Sequence, residues 1–145
     1  MENLKLTGIK RISINDNPDN VIEFNPQDIL FIERFYAVYR EFQAKQVEFD
    51  VLSKELDDNK NVLAEDGLPV NFEAGLKFLK DTCIFVREKI DIVFGAGTSQ
   101  KAFGDALSLE MIEQFFKGVT PFVWEARAEK VQKYSNTAEK KHSMK

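Results

Sequence analysis

The stretch with the most chemical promise is Gly95-Ala96-Gly97-Thr98-Ser99, small and hydroxylated enough to wrap a phosphate. It meets neither phosphate-loop template. A Walker loop needs four residues between its glycines followed at once by Lys-Ser/Thr, and a dinucleotide fingerprint needs a third glycine at position 100, which is Gln. The loop also follows a helical pattern rather than a strand, so it reads as a connector between helices. An enzyme built on this loop is the weakest of three functional readings. Cys83 is the single cysteine and His142 the single histidine, the latter in a polar tail. That excludes an intramolecular disulfide, a cysteine-based zinc site and a Ser/His/Asp set. Asp57-Asp58 and Glu65-Asp66 lie in a turn-rich segment without calcium-loop spacing. No catalytic, cofactor or metal site is predicted, and the chain reads as a binding or assembly protein rather than an enzyme.

The elements that position these residues show in the periodicity. Gly8–Phe24 reads as a β-hairpin, with Ile12 and Ile14 on one strand, Ile22 and Phe24 on the other, and Asp16-Asn17-Pro18-Asp19-Asn20 as a five-residue turn. Asn25 as N-cap and Pro26 at the first helical position start a helix to about Leu56, with Asp28 in its first turn. In it Phe35, Phe42, Phe49 and Leu56 recur every seven residues, with Val38 and Leu52 between, an a/d seam. Asp57–Val70 breaks the pattern. A second helix, Asn71–Phe94, carries the cleaner seam Leu76, Leu79, Cys83, Val86, Ile90, Val93, which makes Cys83 a small core residue rather than a reactive thiol. Phe78, Phe85 and Ile92 form a second stripe on the opposite face, so this helix is expected to be covered on two sides.

After the glycine-rich connector, Thr98 or Ser99 caps one short turn that Gly104 stops. Ser108 caps a helix through Phe116 ended by Gly118, and Thr120-Pro121 starts another to about Tyr134. The expected fold is mainly α: a long helical hairpin plus two short C-terminal helices, with an N-terminal β-hairpin. Residues 1–134 form one domain and 135–145 a disordered polar tail.

Charge is unevenly spread. Residues 1–125 hold 14 Lys+Arg against 22 Asp+Glu, leaving −8, and residues 126–145 hold 6 against 2, leaving +4, which closes on the net −4. An acidic body does not hold nucleic acid. No apolar run is long enough to span a membrane and no apolar leader is evident, so a cytoplasmic protein is expected. Thirteen phenylalanines against one Trp and three Tyr is high for this length. Their stripes are by default core, and the alternative is that part of this surface binds an apolar or helical partner. The phenylalanines outside the seams, Phe31, Phe78, Phe85, Phe115 and Phe116, are the candidates for a surface that takes a client or a second copy.

The segment from Asp91 through Phe94, Gly95, Gly97, Thr98, Ser99, Lys101, Phe103 and Gly104 to Asp105 resembles a motif of tail assembly chaperones from long-tailed bacteriophages of Gram-positive hosts. The hairpin start, the charged long helix and Phe115–Tyr134 are similar to that family less specifically, and the tail after Tyr134 departs from it. The resemblance implies a non-enzymatic protein that coats the helical tape-measure protein and keeps it soluble until tube subunits polymerise around it. The implied partners are the tape-measure protein and the tail tube protein. Self-association is expected separately, from the second stripe Phe78, Phe85 and Ile92 and a hairpin too short to stand alone. The implied location is the host cytoplasm, not the mature virion. The alternative is a structural virion or prophage component, such as a minor tail or connector protein.

Overall fold

A computed structural model of the chain describes residues 1–58 and 61–143, with side chains through residue 126. Within these residues the order is β1 (Lys10–Ile14), β2 (Asn17–Phe24), α1 (Ile29–Asp58), α2 (Phe72–Phe94), α3 (Thr98–Phe103) and α4 (Leu109–Ser143). The fold is mainly α with an N-terminal two-stranded antiparallel sheet, as the periodicity predicts.

In the β-hairpin, Ile12 lies opposite Ile22 and Lys10 opposite Phe24. Ile22 and Phe24 are buried and Ile12 packs against them, so the ribbon gains stability by lying on the helices. The expected five-residue turn is replaced by a tighter one. Asn15 and Asp16 both adopt positive φ, 52° and 58°, which these two residue types tolerate better than most and which matches the twist of a two-residue hairpin. Asn17–Asn20 instead belong to β2, beside an irregularity between Ser13 and Ile14. Pro18 is accommodated because a two-stranded ribbon leaves an open edge where a missing N–H breaks no ladder.

α1 starts three residues later than the Asn25-Pro26 signal. The Asn25 side chain accepts the Gln27 N–H in a tight turn, and Asp28 takes over the cap, its Oδ1 accepting the Leu30 N–H at 3.0 Å. α1 then pairs with α2. The seam holds at one end, where Phe35, Val38, Phe42, Cys83, Val86 and Ile90 are buried, and loosens at the other, where Phe49, Leu52 and Leu56 are half-buried and Leu76 is exposed.

One continuous helix, α4, runs where two short ones with a break at Gly118 were expected. Ile112, Phe116, Val119 and Val123 are all buried, a spacing that puts one unbroken apolar face on the core. That packing outweighs roughly 1 kcal/mol for an internal glycine and ~3 kcal/mol for an internal proline. Beside Pro121 the Thr120 hydroxyl donates to the Phe116 carbonyl at 2.6 Å, a back-bond of the kind that accompanies helix bending. The helical backbone continues to Ser143, past the expected start of a disordered tail, and residues 144–145 of that tail lie outside the described residues.

The phenylalanine count is explained at the junction of these elements. The Phe94 ring meets Phe24, Phe31 and Phe115 at centroid distances of 5.5, 5.2 and 5.1 Å, all near edge-on. Phe116 stacks on Phe42 and stands edge-on to Tyr39. Such pairs add ~0.5–1.5 kcal/mol each beyond area burial. Aromatic rings from β2, α1, α2, α3 and α4 thus form one cluster.

Candidate functional site

The motif residues converge on the α2–α3 connector. Asp91, in the last turn of α2, reaches across it: Oδ1 accepts the Ser99 N–H at 2.8 Å and Oδ2 accepts the Ser99 hydroxyl at 2.9 Å. A carboxylate at a helix start satisfies an orphan amide; here it comes from the preceding helix. Thr98 donates its hydroxyl to the Gly95 carbonyl at 2.8 Å, and Gly95 donates its N–H to the Asp91 carbonyl at 2.9 Å. One residue therefore closes α2 with its backbone and opens α3 with its side chain.

Gly95 (φ 116°, ψ 151°) and Gly97 (φ 88°, ψ −6°) make the reversal. No heavy atom would lie within 4 Å of a Cβ at either position, so backbone geometry, not space, calls for glycine. Gly95 sits in a region essentially closed to other residues, whereas the left-handed conformation of Gly97 admits Asn at some expense. Gly104 also has positive φ, at 61°.

The rest of the motif ties α3 down. Phe103 is buried with its ring 5.5 Å from Phe115. Lys101 donates to the Val21 carbonyl at 3.3 Å, and Asn20 returns a bond from its amide to the Lys101 carbonyl at 2.7 Å, fastening α3 to β2. Asp105 accepts from the Gln100 amide at 3.0 Å. Sequence reasoning missed Arg87, which holds the exit of α3. Its guanidinium donates to the carbonyls of Gly104 (2.7 Å) and Ala106 (2.8 Å) and to Gln100 Oε1 (3.2 Å), and it lies over the Phe103 ring. An arginine on a helix flank gives no periodic signal that it will collect loop carbonyls; the nearby glycines, which leave carbonyls exposed, are the one hint. The motif side chains are engaged with one another and with the chain around them. The arrangement is a clamp that sets the angle between α2 and α3.

Three candidate surface residues need correction. Phe31, Phe115 and Phe116 are buried in the aromatic cluster, because β2, α3 and α4 close over the face that the seams leave open. They are not a solvent-facing surface of this chain. Phe78 and Phe85 are half-buried: Phe78 stacks on Phe49 at 6.2 Å, and Phe85 lies beneath the Lys89 ammonium. Cys83 sits 1% exposed in the seam; burial pushes its thiol above the ordinary value of 9.0, with Arg87 pulling weakly the other way. His142 lies beyond the residues whose side chains are described. Among the described residues no cluster of three or more His, Cys, Asp or Glu has metal-holding geometry.

The open apolar surface lies elsewhere, at the far end of the α1–α2 hairpin. Residues 61–71 form a small turn closed by a bridge between Leu63 and Pro69, with the Val70 N–H donating to the Val62 carbonyl. Val62, Leu63, Leu68 and Val70 of this tip are exposed, as are Val47 and Val51 on α1 and Phe72 and Leu76 on α2. Scattered exposed apolar residues are ordinary, but eight within thirty residues form a concentration. Sequence reading placed Asp57–Val70 in a loop and passed over its aliphatics, because without periodicity they gave no stripe.

Residues 18–145 match a family of unknown function, DUF6673, and the chain belongs to that family. Neither the curated proteins nor the solved structures contain a match to this chain.

Proposed function

We propose that this chain is a non-enzymatic tail assembly chaperone of a long-tailed bacteriophage or prophage, which holds the helical tape-measure protein in solution while the tail tube forms. The observation that carries the reading is the exposed apolar end of the hairpin, Val47 to Leu76, set in acidic sequence. A client helix that would otherwise aggregate through its apolar face needs an apolar counter-surface, and the surrounding charge keeps the complex soluble. The resemblance of the Asp91–Asp105 segment to the chaperone motif supports the same reading, with the clamp as scaffold and the hairpin tip as working surface. Co-expression with a tape-measure fragment of the same phage tests it. The wild-type chain should keep the fragment soluble without nucleotide, and a Leu63→Ser, Leu68→Ser double variant should fail to do so while retaining its helical circular-dichroism signal. A fragment equally soluble without the chain, or equally aggregated with it, overturns the proposal. Recovery of the chain in finished particles would favour the structural virion component instead.

A further inference from the structure

The exposed tip also carries most of the body's charge. Residues 47–76 hold eight Asp+Glu and two Lys, a net −6. α1 ends in this region on Asp57-Asp58, with no basic residue in its last turn, so two carboxylates stand at the negative pole of the helix, where cations are favoured. The residues from 126 onward carry +4, with Val131 and Tyr134 three positions apart among the lysines.

The two segments point away from each other within one chain. α4 lies antiparallel along α1. Its start borders a groove of about 460 Å³ where Leu109 and Glu113 face Val47 and Asp50, Phe116 stacks on Phe42, and Trp124 meets Tyr36 edge-on at 5.9 Å. Beyond Trp124 the helix carries the C-terminal end roughly 28 Å farther in that direction, at ~1.5 Å per residue. From Tyr36 to Asp58, α1 runs roughly 33 Å the opposite way. The molecule is bipolar, with an acidic, apolar head and a basic end that cannot reach it.

We infer that the hairpin tip, residues 47–58 and 61–76, is a docking surface for the basic C-terminal segment, residues 126–145, of a second copy of this chain. Opposite charge steers and orients the contact, and the partner segment supplies the cations that the end of α1 lacks. The exposed valines and leucines of the tip gain an apolar cover. Because the two surfaces differ, the contact is head-to-tail, and it propagates from copy to copy unless the rotation closes a ring. This inference stands apart from the chaperone reading; the two meet only in that a client would compete for the same tip.

Sedimentation of the full chain tests it through paired charge reversals. The wild type at micromolar concentration should exceed 16.7 kDa and shift toward monomer as salt rises from about 0.05 M to about 0.5 M. Lys130→Glu with Lys133→Glu takes the tail from +4 to 0, and Asp57→Lys with Glu65→Lys takes the exposed tip from −6 to −2. Each variant alone should associate at least about tenfold more weakly than wild type. Mixed in equal amounts the two variants should pair again, since the unaltered tip of the tail variant meets the unaltered tail of the tip variant. A monomeric wild type, association indifferent to salt and to both reversals, or a mixture that stays monomeric overturns the inference. Unchanged circular dichroism in both variants separates lost docking from lost fold.

Discussion

At one end of the α1–α2 hairpin the rings of Phe24, Phe31, Phe94 and Phe115 enclose one another at 5.1–5.5 Å. At the other, Phe49 stacks on Phe78 at 6.2 Å while Val62, Leu63, Leu68 and Val70 face solvent. Both ends share the same seven-residue seam. They differ in what lies over it: β2, α3 and the first half of α4 all gather at the Phe94 end, and the tip has no third layer among the described residues. The seam determines where two helices pair, but coverage by further elements determines how much the pairing stabilises.

This contrast predicts a steep difference between two kinds of substitution. Phe94→Ala or Phe116→Ala should destabilise by ~3–5 kcal/mol, because each leaves a cavity among packed rings, whereas Leu63→Ser should stay within about 0.5 kcal/mol. Urea unfolding midpoints measure both, and equal losses would show that the tip is packed like the hub. A smaller effect sharpens the comparison through glycine. Gly97 and Gly67 have nearly equal positive φ, 88° and 85°, and at either position a Cβ would find no heavy atom within 4 Å, so the steric demand on φ is alike. Gly97→Ala should lower global stability by roughly 1 kcal/mol or more, and Gly67→Ala by clearly less, since a tip without tertiary cover opens locally before the rest unfolds. Equal midpoint shifts would contradict that.

The smallest expected effect concerns Cys83, on the covered part of the seam. Burial raises its thiol above 9.0, so the folded chain holds this proton more tightly than the unfolded chain. The corresponding stability is fully present below pH 9 and declines as pH climbs through the raised folded value. Wild-type stability should therefore fall more steeply above pH 9 than that of Cys83→Val, with the two curves parallel below it. Parallel curves throughout would place the thiol in solvent contact.

The elements that sequence pattern exposes well are those with a repeated local signature. The two seams located α2 to within one residue and α1 to within three at either end. Three features were illegible for separate reasons. The break expected at Gly118 did not form because a buried face of four residues outweighs local propensity, and that sum is invisible until the core is known. The hairpin turn shifted to Asn15-Asp16 because both residues tolerate positive φ, while Pro18 suggested a turn further along. Burial of Phe31, Phe115 and Phe116 depends on which elements cover which face, a tertiary fact that helical periodicity does not contain. Arg87 belongs to the same class, since its partners are carbonyls, which every residue has.

The double use of Asp91 restricts how this chain can change in length. Its backbone carbonyl takes the Gly95 N–H and its side chain takes Ser99, so the number of residues between helix end and helix start is set by the reach of one carboxylate. An inserted or deleted residue there would move Ser99 beyond that reach and rotate everything downstream relative to α2. The turn at the hairpin tip imposes no such count, because the entropic cost of loop closure grows only slowly with added residues. Over generations the connector must keep both its length and its glycines, while the tip is free to grow, shrink or be replaced, the latitude a recognition surface needs when its partner varies.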